Sequence, residues 1–414
     1  MNRRTLLATI GVCSLGGCLR LDQAETAIAG TAAANTKKGP GTGAGDGADT
    51  TETANAESTD GTESTDGTES SEDTESTDEG DTILLEPAWS FPEGFVTHLT
   101  AGTDAFYGGL HDGVEKRSID GTRRWRKTDL PASYRVGPVV AGGDLAAIGL
   151  EPDDESTGAR LLVLDDDTGD VRFEHDAPAD GSHWRTAAVT LASETVVVAT
   201  QGSGSGDDQR PRVTALDRGT GDVRWTVDLT DGFVSGLVTH EDHLFVTVTD
   251  QVLDVDLATG ERNRTHDVYW GFATPTVADG TVYGGNDPIE ARTLPDFASK
   301  WRHEPLSDVS GQTSPIVTDD SVLFGTDAGH VVSLGRSTGD VRWNERTNGK
   351  ILGLARGRDV VWVLDGAELA YAFDLDDGTQ LTETEVEDSR ALAAIDDVVV
   401  IGNEAYRVDR TTES

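Results

Sequence analysis

The hexapeptide "TGDVRW" occupies Thr220–Trp225 and recurs letter for letter at Thr338–Trp343, and a near copy, "TGDVRF", fills Thr168–Phe173. Six specified positions repeated within one chain imply duplication or a repeated structural demand, so the internal period decides the fold. Taking the turn glycine and the aromatic residue four positions later as anchors gives Gly121/Trp125, Gly169/Phe173, Gly221/Trp225 and Gly339/Trp343. Weaker copies fill the gaps: Gly260 is followed by Arg264, Phe297 stands in the glycine slot ahead of Trp301, and Gly378 is followed by Thr382. Successive anchors lie 48, 52, 39, 37, 42 and 39 residues apart.

The sequence inside a unit is strand-like, as in "TSPIVTDDSVLFGTDAGHVVSLGRSTGDVRW" from Thr313 to Trp343. Short β-branched and aromatic runs alternate with Asp-Asp, Asp-Ala-Gly and Ser-Thr-Gly, which are turn signals at hairpin spacing. Four short strands fit each unit, and no stretch beyond the N-terminal leader keeps a 3.6-residue apolar period. Four-stranded units repeated every ~40 to 45 residues predict an all-β chain, a β-propeller, in which radial repetition leaves only short, protected sheet edges.

The hexapeptide then has a structural reading. In "ALDRGTGDVRW" (Ala215–Trp225), Asp217 ends a strand and its carboxylate can accept backbone N–H bonds from the turn. Gly221 supplies a positive φ, and Trp225 falls on the outermost strand, where its ring can cover the junction with the next blade. Trp89, Trp125, Phe173, Trp301, Trp343 and Gly339 take equivalent positions, and the reading assigns all of them to blade construction.

Ala215, Asp217, Thr220, Gly221 and Trp225 match at every fixed position the pattern Ala-x-Asp-x-x-Thr-Gly-x-x-x-Trp, which resembles PQQ-like (quinoprotein alcohol dehydrogenase-like) propeller repeats. Other copies depart from it: Val163 and Phe173 replace Ala and Trp in one, Ser333 and Gly335 replace Ala and Asp in another. Trp89 is an outer-strand tryptophan with no preceding repeat, while the C-terminal "EAYRVDRTTES" offers Asp409 and Thr412 and stops before its tryptophan. Pairing the segment around Glu86–Ser90 with that around Tyr406–Val408 would close the ring with one blade shared between the termini. The expectation is an eight-bladed propeller over residues 83–414.

The first 17 residues, "MNRRTLLATIGVCSLGG", read as a signal peptide. Arg3-Arg4 followed by an apolar run resembles a twin-arginine export signal, and Leu15-Gly16-Gly17-Cys18 matches a lipobox in which Cys18 takes the lipid. Cys13 and Cys18 are the only cysteines, so residues beyond them have neither disulfide nor thiol nucleophile. Residues 18–82 are rich in Thr, Ser, Gly, Asp and Glu, with "ESTDGTESTDGTES" at Glu57–Ser70, and lack the apolar surface needed to offset ordering entropy. They read as a disordered acidic tether with a reach of ~40 to 45 Å.

Residues 83–414 hold 28 basic and 59 acidic residues, a net charge of −31, and the whole chain has only six lysines against 27 arginines. Acid excess, scarce lysine and a twin-arginine lipobox together resemble haloarchaeal secreted lipoproteins. With no basic patch to displace phosphate counterions, nucleic-acid binding is disfavoured.

The enzymes of the resembled family hold pyrroloquinoline quinone and calcium in the funnel, with an aspartate base, Glu/Asn metal ligands and typically a vicinal cysteine pair. That pair is absent here, and the other cofactor residues find no match. "HEDH" (His240–His243) lacks a third ligand for a metal. "DLDDGTQLTETE" (Asp374–Glu385) is similar to a calcium loop, but its glycine comes one position early. "QGSGSGDDQRP" (Gln201–Pro211) lacks the Gly-Lys-Ser/Thr ending of a phosphate loop, and with "EPDDESTGAR" (Glu151–Arg160) it reads as an inter-strand insertion. The expected molecule is a monomeric, non-catalytic surface lipoprotein, held to the membrane through Cys18, without cofactor or metal, whose propeller binds a protein or glycan partner. The alternative is a quinone-dependent oxidoreductase.

Overall fold

The computed structural model describes residues 82–411 apart from 93–95, 132–133, 154–157, 178–182, 204–209, 230–231, 269, 271–272, 286–287, 305–312 and 387–390. The signal segment, Cys13, Cys18 and the tether lie outside the described residues. So do Thr412 and the centres of the insertions at 151–160 and 201–211.

Thirty-two strands form eight four-stranded antiparallel sheets, and no helix occurs among the described residues. Blades 1 to 7 are sequential meanders: His98–Lys127, Tyr134–Asp176, His183–Asp228, Val234–Asp267, Thr276–His303, Ile316–Arg346 and Ile351–Glu385. Blade 8 takes three strands from Leu392–Thr411 and its fourth from Thr82–Ser90. First strands of successive blades contact one another around the ring and line its axis. Threonine hydroxyls tie them together: Thr100 donates to the Val139 carbonyl (2.8 Å) and Thr276 to the Pro315 carbonyl (2.7 Å).

Closure follows the sequence reading and extends beyond it. Leu85 pairs with Val408, Glu86 with Arg407 and Pro87 with Tyr406, and the ladder runs on to Thr82 opposite Thr411. The register corrects one point. Trp89 lies opposite Ala405, as Trp225 lies opposite Ala215, so Arg407 and not Asp409 takes the turn-aspartate position. The strand continues straight through Asp409, which pairs with Leu84, and Ile83 and Leu85 pack with Leu381 of blade 7.

Six of the eight blade interfaces show why the hexapeptide recurs. Five indole N–H groups cross to a turn carbonyl of the next blade: Trp89 to Ile119 (3.0 Å), Trp125 to Asp166 (2.8 Å), Trp225 to Leu257 (2.9 Å), Trp301 to Arg336 (2.9 Å) and Trp343 to Leu375 (3.1 Å). The glycine of that turn lies against the same ring. Gly221 has φ 78° and a Cβ there would stand 2.5 Å from Phe173 of the preceding blade. Both a left-handed backbone and a bare Cα are thus required. Glycine and tryptophan of one hexapeptide therefore never serve the same interface; each meets the complementary residue of a neighbouring copy.

The turn is held as the sequence suggests: Asp217 Oδ1 accepts the N–H groups of Gly219 (2.9 Å) and Thr220 (3.0 Å), while Oδ2 takes Arg224 (2.7 Å). The Arg224 guanidinium and then the two amides hold the Asp217 carboxyl down to about 2. Asp165 repeats the arrangement with Arg172, and Asp256 repeats its amide half through Ala258 and Thr259.

Two interfaces lack a ring over a glycine. Thr382 of blade 7 faces blade 8, which has no third turn to cover. Arg264 of blade 4 is exposed, and here the following turn itself supplies the ring: Phe297, in the glycine slot at φ 57°, is buried and stacks on His266 at 4.1 Å.

Candidate functional site: the loop-bearing face

The two ends of the propeller differ in what joins the strands. Connections from first to second and from third to fourth strands span two to five residues, whereas those at the opposite end span two to twelve. Short uniform turns are fixed by blade geometry; variable connections on a rigid scaffold are where binding residues collect.

Four first strands enter from this loop-bearing end through an irregularity at one place, between Val136 and Val139, Thr186 and Ala188, Val234 and Gly236, and Ile351 and Gly353. The residue just before it is Arg135, Arg185, Phe233 or Lys350 in blades 2, 3, 4 and 7. Phe233 is 51% exposed although its backbone is fixed by hydrogen bonds in both directions with Thr249. The next amide, Val234, donates to the buried Gln201 side chain (3.0 Å). Arg135 is half-exposed and paired with Asp153 (2.9 Å), Arg185 is half-buried and Lys350 exposed. Three neighbouring blades therefore present two guanidinium groups and an aromatic ring at one repeat position, in a domain of strong negative charge. Such a surface suits an acidic segment that also carries an apolar side chain.

The channel wall has a different character. The eight first strands, His98–Ala101, Tyr134–Gly142, His183–Leu191, Val234–His240, Thr276–Ala278, Ile316–Val317, Ile351–Arg356 and Leu392–Ile395, carry no Asp, Glu, Asn or Cys. Their ionisable residues are arginine, histidine and Tyr134. Calcium takes six to eight oxygen ligands, usually including carboxylates, so this donor set does not fit the calcium–quinone group of the resembled enzymes. No group of three or more His, Cys, Asp or Glu side chains suited to a metal occurs among the described residues. Burial holds the His98 imidazole down to about 4, against the backbone hydrogen bond at Val136 that favours its charged form.

Trp89, Trp125, Phe173, Trp225, Trp301 and Trp343 all meet the next blade's short-turn end, where Asp217, Gly221 and Gly339 also sit; none reaches the loop-bearing face. Cys18 lies outside the described residues. "HEDH" forms a two-residue turn, with His243 Nδ1 on Asp254 (2.7 Å), and Asp374 caps a blade turn through the amides of Asp376 and Asp377. Sequence reading missed the Arg135, Arg185, Phe233 and Lys350 position, because the signal is an irregularity in strand pairing and those residues share no letter.

Residues 208–414, half of the chain, match the family model described as outer membrane protein assembly factor BamB (PQQ_2). The chain belongs to that family. Among solved structures the PQQ_2 fold recurs in BamB from Moraxella catarrhalis, 17% identical with TM-score 0.61, covering 80% of this chain and 100% of that one. The computationally designed Ika8 protein is 16% identical with TM-score 0.61 over 79% of this chain and 100% of its own. The quinohemoprotein alcohol dehydrogenase ADHIIG from Pseudomonas putida HK5 is 12% identical with TM-score 0.60, covering 78% of this chain and 71% of that one. At these identities the likeness is one of fold. No curated protein matches the chain.

Proposed function

We propose that this PQQ_2 propeller is a non-catalytic binding platform, held to a membrane through lipid on Cys18, that receives a protein partner on its loop-bearing face. The observation that carries the reading is the contrast between the two candidate sites. The channel wall offers no carboxylate or amide oxygen side chain for a calcium–quinone centre, while Arg135, Arg185, Phe233 and Lys350 recur at one position of the loop-bearing rim. The family description, an assembly factor, supports a protein partner.

The test is a pull-down from native membranes at molar salt with wild type, Phe233→Asp and, as a control on the outer wall, Val171→Asp. Loss of the captured partner with Phe233→Asp alone is expected; equal capture by all three would overturn the choice of face. Quinone absorbance retained by purified protein after pyrroloquinoline quinone and calcium are added would instead favour the oxidoreductase. Cys18→Ser is expected to move the protein to the soluble fraction and Cys13→Ser to leave it with the membrane; membrane-bound Cys18→Ser protein would refute lipid anchoring there.

A further inference from the structure

The interface between blades 4 and 5 is built from different parts than its neighbours. Arg264 occupies the ring position and points to solvent, and Phe297 in the glycine position stacks on His266. The His266 Nε2 atom is buried without a hydrogen-bond partner. Behind it lies Asp254, 2% exposed, whose carboxylate is met by His243 Nδ1 at 2.7 Å and Asn263 Nδ2 at 3.3 Å. From blade 5, Arg292 lies over the Phe297 ring at 5.3 Å, donates to its carbonyl (3.2 Å) and pairs with the buried Glu290 (2.9 Å). Trp270 Nε1 also points at Glu290, and Arg302 stands 4.0 Å from it.

We propose that this interface is a proton-sensitive seam, closed while His266 is neutral and loosened when acid charges it, whereas the interfaces that place a ring over a glycine stay shut.

The charged groups around the imidazole decide the sign. A proton on His266 would add a cation to a site already holding Arg264 on its own strand and Arg292 across the seam, beside a nitrogen that reaches no acceptor. Asp254 and Asp267 oppose this, but Asp254 is already shared by His243 and Asn263. Burial, with Arg264 and Arg292, holds the His266 imidazole below its ordinary 6.5, with the two carboxylates acting the other way. For a histidine so lowered, the unfolded or opened chain takes up the proton first. The stabilisation is complete above pH 6.5 and is lost as pH falls below it.

His175 and His303 provide internal comparisons. Burial lowers both, yet they belong to interfaces in which Phe173 covers Gly221 and Trp301 covers Gly339. His98, at about 4, stays neutral at pH 5.5.

The experiment is hydrogen exchange of the full chain in molar KCl at pH 7.5 and 5.5, corrected for intrinsic exchange rates. Protection of segments 262–267 and 289–297 is expected to fall at pH 5.5, by at most about tenfold because that pH lies one unit below the opened imidazole's 6.5. Segments 223–228 and 341–346, which hold no histidine, should keep their protection, and 171–176, where His175 sits beside a ring-covered glycine, should lose less than 262–267. His266→Phe keeps the stack and cannot be charged, so it should abolish the local loss, as should Arg264→Trp combined with Phe297→Gly, which restores the regular interface. A loss spread evenly over all blades, or one that persists in His266→Phe, would overturn the proposal.

Discussion

Trp225 and Arg264 occupy the same position of successive blades and do unlike things. Trp225 is buried, donates across the interface and lies over Gly260, where a Cβ would stand 2.7 Å from the ring. Its truncation to alanine leaves a cavity and an unmet carbonyl, so Trp225→Ala should lower stability by ~3 to 5 kcal/mol. Arg264 is exposed, and Arg264→Ala should stay within ~0.5 kcal/mol. Equal losses in chemical denaturation would mean that the indole does not carry the interface. Asp217 offers a pH test with the opposite sign to a lowered histidine. Its folded carboxyl sits near 2 instead of 3.8, so its contribution is present above about pH 4 and disappears as pH falls toward 2. Asp217→Asn should flatten that part of the melting profile, and an unchanged acid limb would show that the turn carboxylate is not its source.

At the scale of elements, the strand Thr82–Ser90 is the unusual one, because its partner is the last strand of the chain. Ending the protein after Gly402 removes Glu404–Thr411, which pairs with both Thr82–Ser90 and Val398–Ile401. Blade 8 would lose two strands, and the expected outcome is a broad, multi-step unfolding transition; a single transition at the wild-type midpoint would contradict closure by that strand. Much of this was legible beforehand. Period, turn chemistry and the unpaired Trp89 led to eight blades and the shared one, because hairpin signals are local and the ring only adds them up. What the sequence concealed was complementarity between copies. Arg264 and Phe297 read as two separate departures from a motif, and only adjacency shows that the second supplies the ring missing from the first. The loop-bearing rim was concealed for a similar reason: Arg135, Arg185, Phe233 and Lys350 are equivalent through strand register alone.

Over the whole molecule, charge is the dominant long-range term. All eight turns between first and second strands carry an acidic residue, from Asp104 and Asp144 through Asp396 and Asp397, so carboxylates ring one end of the propeller. Some are paired, as Asp144 with Arg218 (2.9 Å), Asp279 with Arg336 (2.7 Å) and Asp320 with Arg342 (2.7 Å). Salt weakens those pairs, but exposed pairs contribute only ~0 to 1 kcal/mol each, whereas a domain net charge of −31 repels itself throughout. Screening should therefore win: the melting temperature is expected to climb with KCl as the screening length shrinks to ~3 Å near 1 M. A melting temperature flat between 0.1 and 3 M KCl would sink this balance and the halophilic reading with it.

The closing strand also sets how the molecule bears tension. The chain enters Thr82 at the short-turn end and leaves Ser90 at the loop-bearing end, antiparallel to Glu404–Thr411. A pull on the residues before Thr82, resisted by something gripping the loop-bearing face, runs lengthwise along this strand. Its rungs to the last strand are then strained together in shear instead of being opened one after another as in a zipper. A propeller closed by its first strand is thus fastened most firmly along the line of a pull on the residues before Thr82.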